Sequence, residues 1–187
     1  MRYLIIIFLS GLCTIATSQT AYRLASFSLV IKGTSNLHPW ESKSNDVRAN
    51  GSITADADNI SAIQSLTVEV PAKSIKSAHG SIMDNKTYDA LKADAHANIV
   101  LKLISAKIEN KPDGASITAT CNLTIAGVTN KVDILVKGKV NADGTIKFSG
   151  AKKIKMTNFG IKPPTALLGT MTVGDEVEIV FSVTLKK

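Results

Sequence analysis

The sequence predicts an all-β chain, an eight-stranded antiparallel β-barrel carrying one short helical insertion. Three observations predict it. Between Ala25 and Leu185, apolar side chains recur at every second residue in about eight segments, the period of strands with one buried face. One stretch, Ser81 to Asp94, breaks that period and reads as helix. Most of the alternating segments are joined by tight turns rather than long crossings. Alternation also suits two packed sheets, but the Cys, Trp, Cys spacing of immunoglobulin domains is missing, and long strands joined by tight turns favour one closed sheet. A barrel of about eight strands has an interior either filled by its own side chains or able to hold one small ligand. The fold class therefore poses the functional question, whether the inside is a core or a container.

The first strand is Ala25 to Thr34, with Ala25, Phe27, Leu29 and Ile31 on one face and Ser26, Ser28 and Lys32 on the other. A turn at Asn36 to Pro39 follows. The second, Trp40 to Asp56, alternates only from Val47 through Ala49, Gly51 and Ile53, which predicts a bulge or exposed edge in its first half. The third sets Leu66, Val68 and Val70 against Thr67 and Glu69 and stops at Pro71. In Ser81–Asp94, good helix formers place Met83, Tyr88 and Leu91 on one broad face, suited to lidding or flanking the barrel. The fourth strand, Asn98 to Ile108, is ambiguous, because Val100 and Ile104 compete with Leu101 and Leu103 for the inner face. Ser116–Ala126 and Asn130–Val140 form a hairpin about Gly127, the latter with Val132, Ile134, Val136 and Val140 inward. Asn141-Ala142-Asp143-Gly144 signals a second turn before the seventh strand, Thr145 to about Thr157. Lys152 shares parity there with Ile154 and Met156, and a bulge is expected to turn it outward. The last strand sets Val177, Ile179, Phe181, Val183 and Leu185 against Glu176, Glu178, Ser182, Thr184 and Lys186.

The N-terminus bears on compartment. Met1-Arg2 is a short positive start, Tyr3–Ile15 is almost wholly apolar but too short to span a bilayer, and Ala16-Thr17-Ser18 offers the small residues a signal peptidase reads. Residues 1–18 are expected to be a signal peptide, and residues 19–187 one exported domain, periplasmic or secreted. Anchoring through Cys13 is the rival, disfavoured by bulky Leu12 where a lipobox wants a small residue. Cleavage leaves Cys121 as the one cysteine, so no intrachain disulfide forms. Its place in the run Ile117, Ala119, Cys121, Leu123, Ile125 reads as inert packing. The net charge of +7 is carried by lysines, with Arg23 and Arg48 the arginines beyond the leader. Base readout and phosphate forks prefer arginine, so nucleic acid is not an expected partner. Transient contact with a membrane surface is compatible with this charge, and the oligomeric state, a dimer included, is not set by the sequence.

No catalytic or metal motif stands out. His38, His79 and His96 lack the spacing of paired metal ligands, and there is no nucleophile elbow, phosphate-cradling glycine loop or paired-cysteine motif. Neither an enzyme nor a cofactor is expected. The segments outside the alternating runs are Gly33-Thr34-Ser35-Asn36-Leu37-His38-Pro39-Trp40, Met83-Asp84 with Tyr88-Asp89-Ala90-Leu91-Lys92-Ala93, Leu123 to Thr129, Lys155 to Pro164 and Gly174-Asp175-Glu176-Val177. In that order they resemble the YceI-like family of exported lipid-binding proteins, over essentially the whole mature chain. Departures fall at Ala97-Asn98-Ile99, where many relatives have a proline before the strand, and at Asn158, where many have aspartate. The resemblance implies a lipocalin-like barrel whose elongated apolar cavity holds a polyisoprenoid, isoprenoid quinone or similar long-chain amphiphile, without turnover.

The inward faces agree with a chain-like ligand, being mainly aliphatic with few rings. The expected lining is Phe27, Leu29, Ile31, Val68, Leu101, Leu123, Ile134, Met156, Phe159, Ile179 and Phe181, although a filled barrel needs the same residues. Trp40 joins them at the mouth, where its indole N–H would either meet a polar head group or brace the turn. The alternative function is a filled-core exported barrel acting in envelope stress or surface adhesion without lipid. Phe159-Gly160-Ile161 with Pro163-Pro164 reads as a stiff crossing segment before the last strand.

Overall fold

The strands in chain order are β1 (Thr20–Ser35), β2 (Trp40–Ser44), β3 (Arg48–Ala55), β4 (Ile60–Pro71), β5 (Ile75–Ser77), β6 (Asn98–Lys111), β7 (Gly114–Ile125), β8 (Val128–Val140), β9 (Ile146–Lys155), β10 (Thr165–Ala166) and β11 (Met171–Lys186). One helix, α1 (Ser81–Ala90), lies between β5 and β6, and 3-10 turns occupy Ala72–Ser74 and Met156–Phe159. The structure, a computed structural model, describes residues 20–78, 80–166 and 170–187. The expected signal peptide, residues 1–18, and His79 lie outside the described residues.

The sheet runs in the order β10-β11-β9-β8-β7-β6-β4-β3-β1-β2-β5, and β11 pairs back onto β1 from Arg23↔Lys186 to Ser35↔Val173. That closing pair makes a barrel of eight staves, with β2 and β3 forming one stave in two pieces, and removes the sandwich alternative. β5 and β10 are short additions at the rim. The expected second strand breaks at 45–47, where the Ser44 hydroxyl donates to the Asp46 carbonyl and meets Ser74 Oγ at 2.9 Å. β1 therefore pairs with β3 at its start and with β2 at its end.

Bulges explain the irregular periodicities. In β6 the register shifts between Leu103 and Ser105, so Ile99, Leu101 and Leu103 face inward on one side of the bulge and Ala106 and Ile108 on the other. Ile104 is the extra residue, and it is exposed. A second shift between Leu24 and Ser26 leaves Ala25 exposed and turns Leu24 inward, a correction to the predicted face of the first strand. In β9 the expected bulge is absent: the register against β11 runs unbroken from Lys155↔Glu176 to Ile146↔Leu185. Lys152 consequently shares the inner face with Phe148 and Ile154 and is half-buried. The β7–β8 hairpin closes on Ala126-Gly127, both with positive φ (50° and 85°), the two-residue turn whose twist matches the strands.

One end of the barrel is packed solid. Tyr22, Ile53, Ile60, Ile117, Ile146, Phe148 and Leu185 form its core together with Cys121. Burial lifts the Cys121 thiol to about 11, with Asp133 adding to the effect, so the group is inert packing as the alternation predicted. The opposite end is built differently.

Candidate functional site: an apolar cavity at one end of the barrel

Following the β1–β11 ladder away from the packed end, the inward pairs are Leu24↔Leu185, Phe27↔Val183, Leu29↔Phe181 and Ile31↔Ile179. The barrel is filled through the third of these and open from the fourth. Phe181 marks the change. Its Cα partner on β9 is Gly150, and a Cβ on Gly150 would fall 2.9 Å from the Phe181 ring, so the missing side chain gives the ring room. Beyond it lies a cavity of about 430 Å³, within the range of roughly 300–1,000 Å³ usual for small-molecule sites.

Ile31, Val173, Val177, Ile179 and Ile154 wall the cavity on the β1, β11 and β9 side. Ile75, Ile99 and Ile125 wall it on the β5, β6 and β7 side. Met83, Ala90 and Leu91 contribute from α1 and its end, and Met156, Phe159, Ile161 and Pro164 from the crossing segment. That segment is locked from both sides. The Asp175 carboxylate accepts from the Thr157 amide and hydroxyl at 2.9 and 2.7 Å, and Asn130 Nδ2 donates to the Asn158 carbonyl at 2.8 Å. These bonds hold the Asp175 carboxyl below its ordinary range, the Thr157 hydroxyl contributing most.

α1 lacks a side-chain N-cap and is tied down by tertiary contacts instead. Asp84, one of three buried polar residues described, accepts from the Ser77 amide at 2.7 Å and pairs with Lys76 at 3.3 Å. Its carboxyl is accordingly lowered, first by the Ser77 N–H and then by Lys76. The Tyr88 hydroxyl receives Lys76 Nζ at 2.6 Å and donates toward the carbonyls of Lys73 and Ile75. Tyr88 thus anchors the helix, while Met83 and Leu91 of the same predicted face line the cavity.

The lining also holds polar side chains, Ser35, His38, Ser42, Ser77, Lys86 and Thr87, of which Ser42 is buried and His38 exposed. Lys86 Nζ donates across the opening to the Thr165 carbonyl at 3.0 Å. His38 Nδ1 lies 2.8 Å from the Pro39 carbonyl, which places the proton on that nitrogen. Among the described lining residues there is no carboxylate. No group of three or more His, Cys, Asp or Glu among the described residues is placed to hold a metal.

Of the twelve residues expected to line a cavity, the structure brings five to it: Ile31, Trp40, Met156, Phe159 and Ile179. The other seven are elsewhere. Phe27 and Leu29 pack on the Val47, Val70 and Ile75 cluster, and Val68 and Leu101 each pack against the solid end. Leu123 is buried beneath the crossing segment, Ile134 is buried on β8, and Phe181 lies over Gly150. Strand parity names the inner face correctly for all seven but does not give height along the barrel axis, and these stand below the void. Trp40 stacks on Gly33, where a Cβ would run into the ring, and its Nε1–H donates to the Thr34 carbonyl at 3.0 Å. The indole braces the turn and offers only its ring to the cavity. His38, Lys86, Ile75, Ile99, Ile125 and Val177 line the cavity without being among the expected residues; the signal for Lys86 is its place one turn after Met83 and one turn before Ala90 on the same helix.

The fold and site define a lipocalin-like barrel, solid at one end and hollow at the other under a short helix. The chain matches the YceI-like domain over residues 20–185 and belongs to the YceI-like family, binding-type barrel proteins. Among solved structures it is similar to Burkholderia cenocepacia BcnA, with TM-score 0.66 and 19% identity over 84% of this chain and 95% of that one. It is similar to a polyisoprenoid-binding domain from Saccharophagus degradans, implicated in plant cell wall breakdown, with TM-score 0.66 and 11% identity over 88% and 97% of the two chains. It is similar also to the Campylobacter jejuni YceI protein, with TM-score 0.59 and 22% identity over 78% and 84%. No curated protein matches the chain.

Proposed function

We propose that this protein binds and carries a long-chain amphiphile of the polyisoprenoid or isoprenoid-quinone type in the hollow end of its barrel, without chemistry of its own. The observation that carries the reading is the cavity of about 430 Å³, walled mainly by aliphatic side chains and methionine together with Trp40 and Phe159. Each ligand methylene buried there contributes about 0.8 kcal/mol, so a tail gives tight binding without hydrogen bonds to it. The S. degradans domain of the same fold, described as polyisoprenoid-binding, supports the choice of ligand class. The leader-like residues 1–18 support carriage outside the cytoplasm by a mature domain of residues 19–187.

The test is native mass spectrometry of protein purified gently from the exported fraction, followed by solvent extraction of its lipid. A stoichiometric long-chain isoprenoid is expected. Ala90→Trp fills the cavity from the helix side and is expected to empty the protein while leaving its melting temperature near that of the parent. Protein that is reproducibly empty and takes up neither quinone nor polyprenol overturns the reading in favour of a filled-core surface protein.

A further inference from the structure

We propose that the bound amphiphile carries an anionic head group, a carboxylate or a phosphate, which is held at the cavity mouth by Lys86. The proposal rests on the carrier reading above and adds the charge of the cargo. Lys86 is half-buried on α1, between the cavity-lining Met83 and Ala90, with its ammonium reaching over the opening. An ammonium has three N–H donors. Among the described residues one is met by a neutral acceptor, the Thr165 carbonyl, and none of the ion pairs includes Lys86. The helix also carries Asp84 and Asp89, but Asp84 is held by the Ser77 amide and Lys76 and neither borders the cavity. No described lining residue is acidic, and none of the residues outside the described ones is acidic either. Beside an apolar wall, charge attraction is screened less than in open water, so a head group seated there gains more than it would on an exposed lysine.

The geometry orders the ligand. The tail enters toward Ile179 and Ile125, and the head stays at the rim, where Ile82 is 73% exposed. A neutral prenol or quinone of equal length gains the same tail burial and leaves the Lys86 ammonium without a counter-charge.

Trp40, the one tryptophan, lies in the cavity wall, so its fluorescence reads occupancy directly. The experiment titrates the mature protein with two matched pairs, geranylgeranyl phosphate against geranylgeraniol and palmitate against hexadecanol. Each anion is expected to bind roughly tenfold or more tighter than its alcohol, with Lys86→Gln collapsing that ratio and Lys86→Arg retaining it. The pair with the larger ratio separates phosphate from carboxylate. Lys137→Gln, on the exposed outer face of β8, removes one charge far from the mouth and is expected to leave the ratio unchanged. Equal binding of anion and alcohol, or a ratio that survives Lys86→Gln, overturns the anionic head group while leaving the carrier reading intact. A flat Trp40 signal with all four probes, with none of them retained by the protein in native mass spectrometry, overturns the carrier reading and the head-group assignment with it.

Discussion

Trp40 and Gly33 are Cα partners across β1 and β2, and the absence of a Cβ at Gly33 lets the indole lie flat against the backbone. The ring fixes the turn at 35–39 and also forms a wall of the cavity. Gly33→Val would drive a side chain into the ring, so overpacking is expected to cost about 1–3 kcal/mol. A shifted Trp40 emission maximum together with a lower urea midpoint would check this, and unchanged emission would mean that the indole is not seated there. Phe181 shows the same dependence on a partner's small size, since Gly150 gives its ring the room to close the floor of the cavity. Neither pairing is legible in sequence, because Gly33 and Trp40, or Gly150 and Phe181, meet only once the register is set.

α1 illustrates an element held by its surroundings rather than by its own propensity. It is 10 residues long with no side-chain N-cap, shorter than a helix that persists alone in water. The Asp84 carboxylate, fixed by the Ser77 amide and Lys76, joins it to β5. Asp84→Ala is expected to cost about 1–2 kcal/mol and to speed ligand exchange by loosening the helix over the mouth. The same bond sets a pH dependence. Because the folded-state value is lowered, its stabilisation is full above the unfolded value of about 4 and is lost as pH falls through that value toward the depressed one. Asp56, Asp143 and Asp175 are lowered as well, each by hydrogen bonds to its carboxylate. Urea midpoints are therefore expected to stay flat from pH 7 to about 5 and to fall below about 4, with Asp84→Ala showing a shallower fall. A fall of equal steepness in the variant would remove Asp84 from the account.

The whole molecule combines the two interiors open to an eight-stranded barrel, a filled one and a hollow one, along a single axis. β11 crosses both, with Leu185 fully buried in the solid end and Ile179 half-buried at the void. Truncation at the two sites should differ accordingly. Leu185→Ala is expected to cost about 2–5 kcal/mol by leaving a new cavity in close packing. Ile179→Ala enlarges a space that already exists and should cost markedly less, while weakening amphiphile binding. Chemical denaturation of the two variants without ligand makes the comparison, and equal losses would mean that the hollow end is packed in solution.

The sequence alone specified the barrel, most of its strands, the helical insertion and the family, because period-two alternation and ordered turn motifs are local properties of the chain. It also determined which face of each strand turns inward wherever no bulge intervenes. The bulges at Ala25 and Ile104 reverse parity within a strand, and the absence of one at Lys152 keeps a lysine on the inner face. Height along the axis was set by the packing of the folded chain alone. Ile179 and Phe181 carry the same signal in sequence, two residues apart on one strand, yet one borders the cavity and the other closes its floor. A void exists only where residues from distant strands fail to meet, and α1 with the 156–164 segment sets that place from outside the alternating pattern.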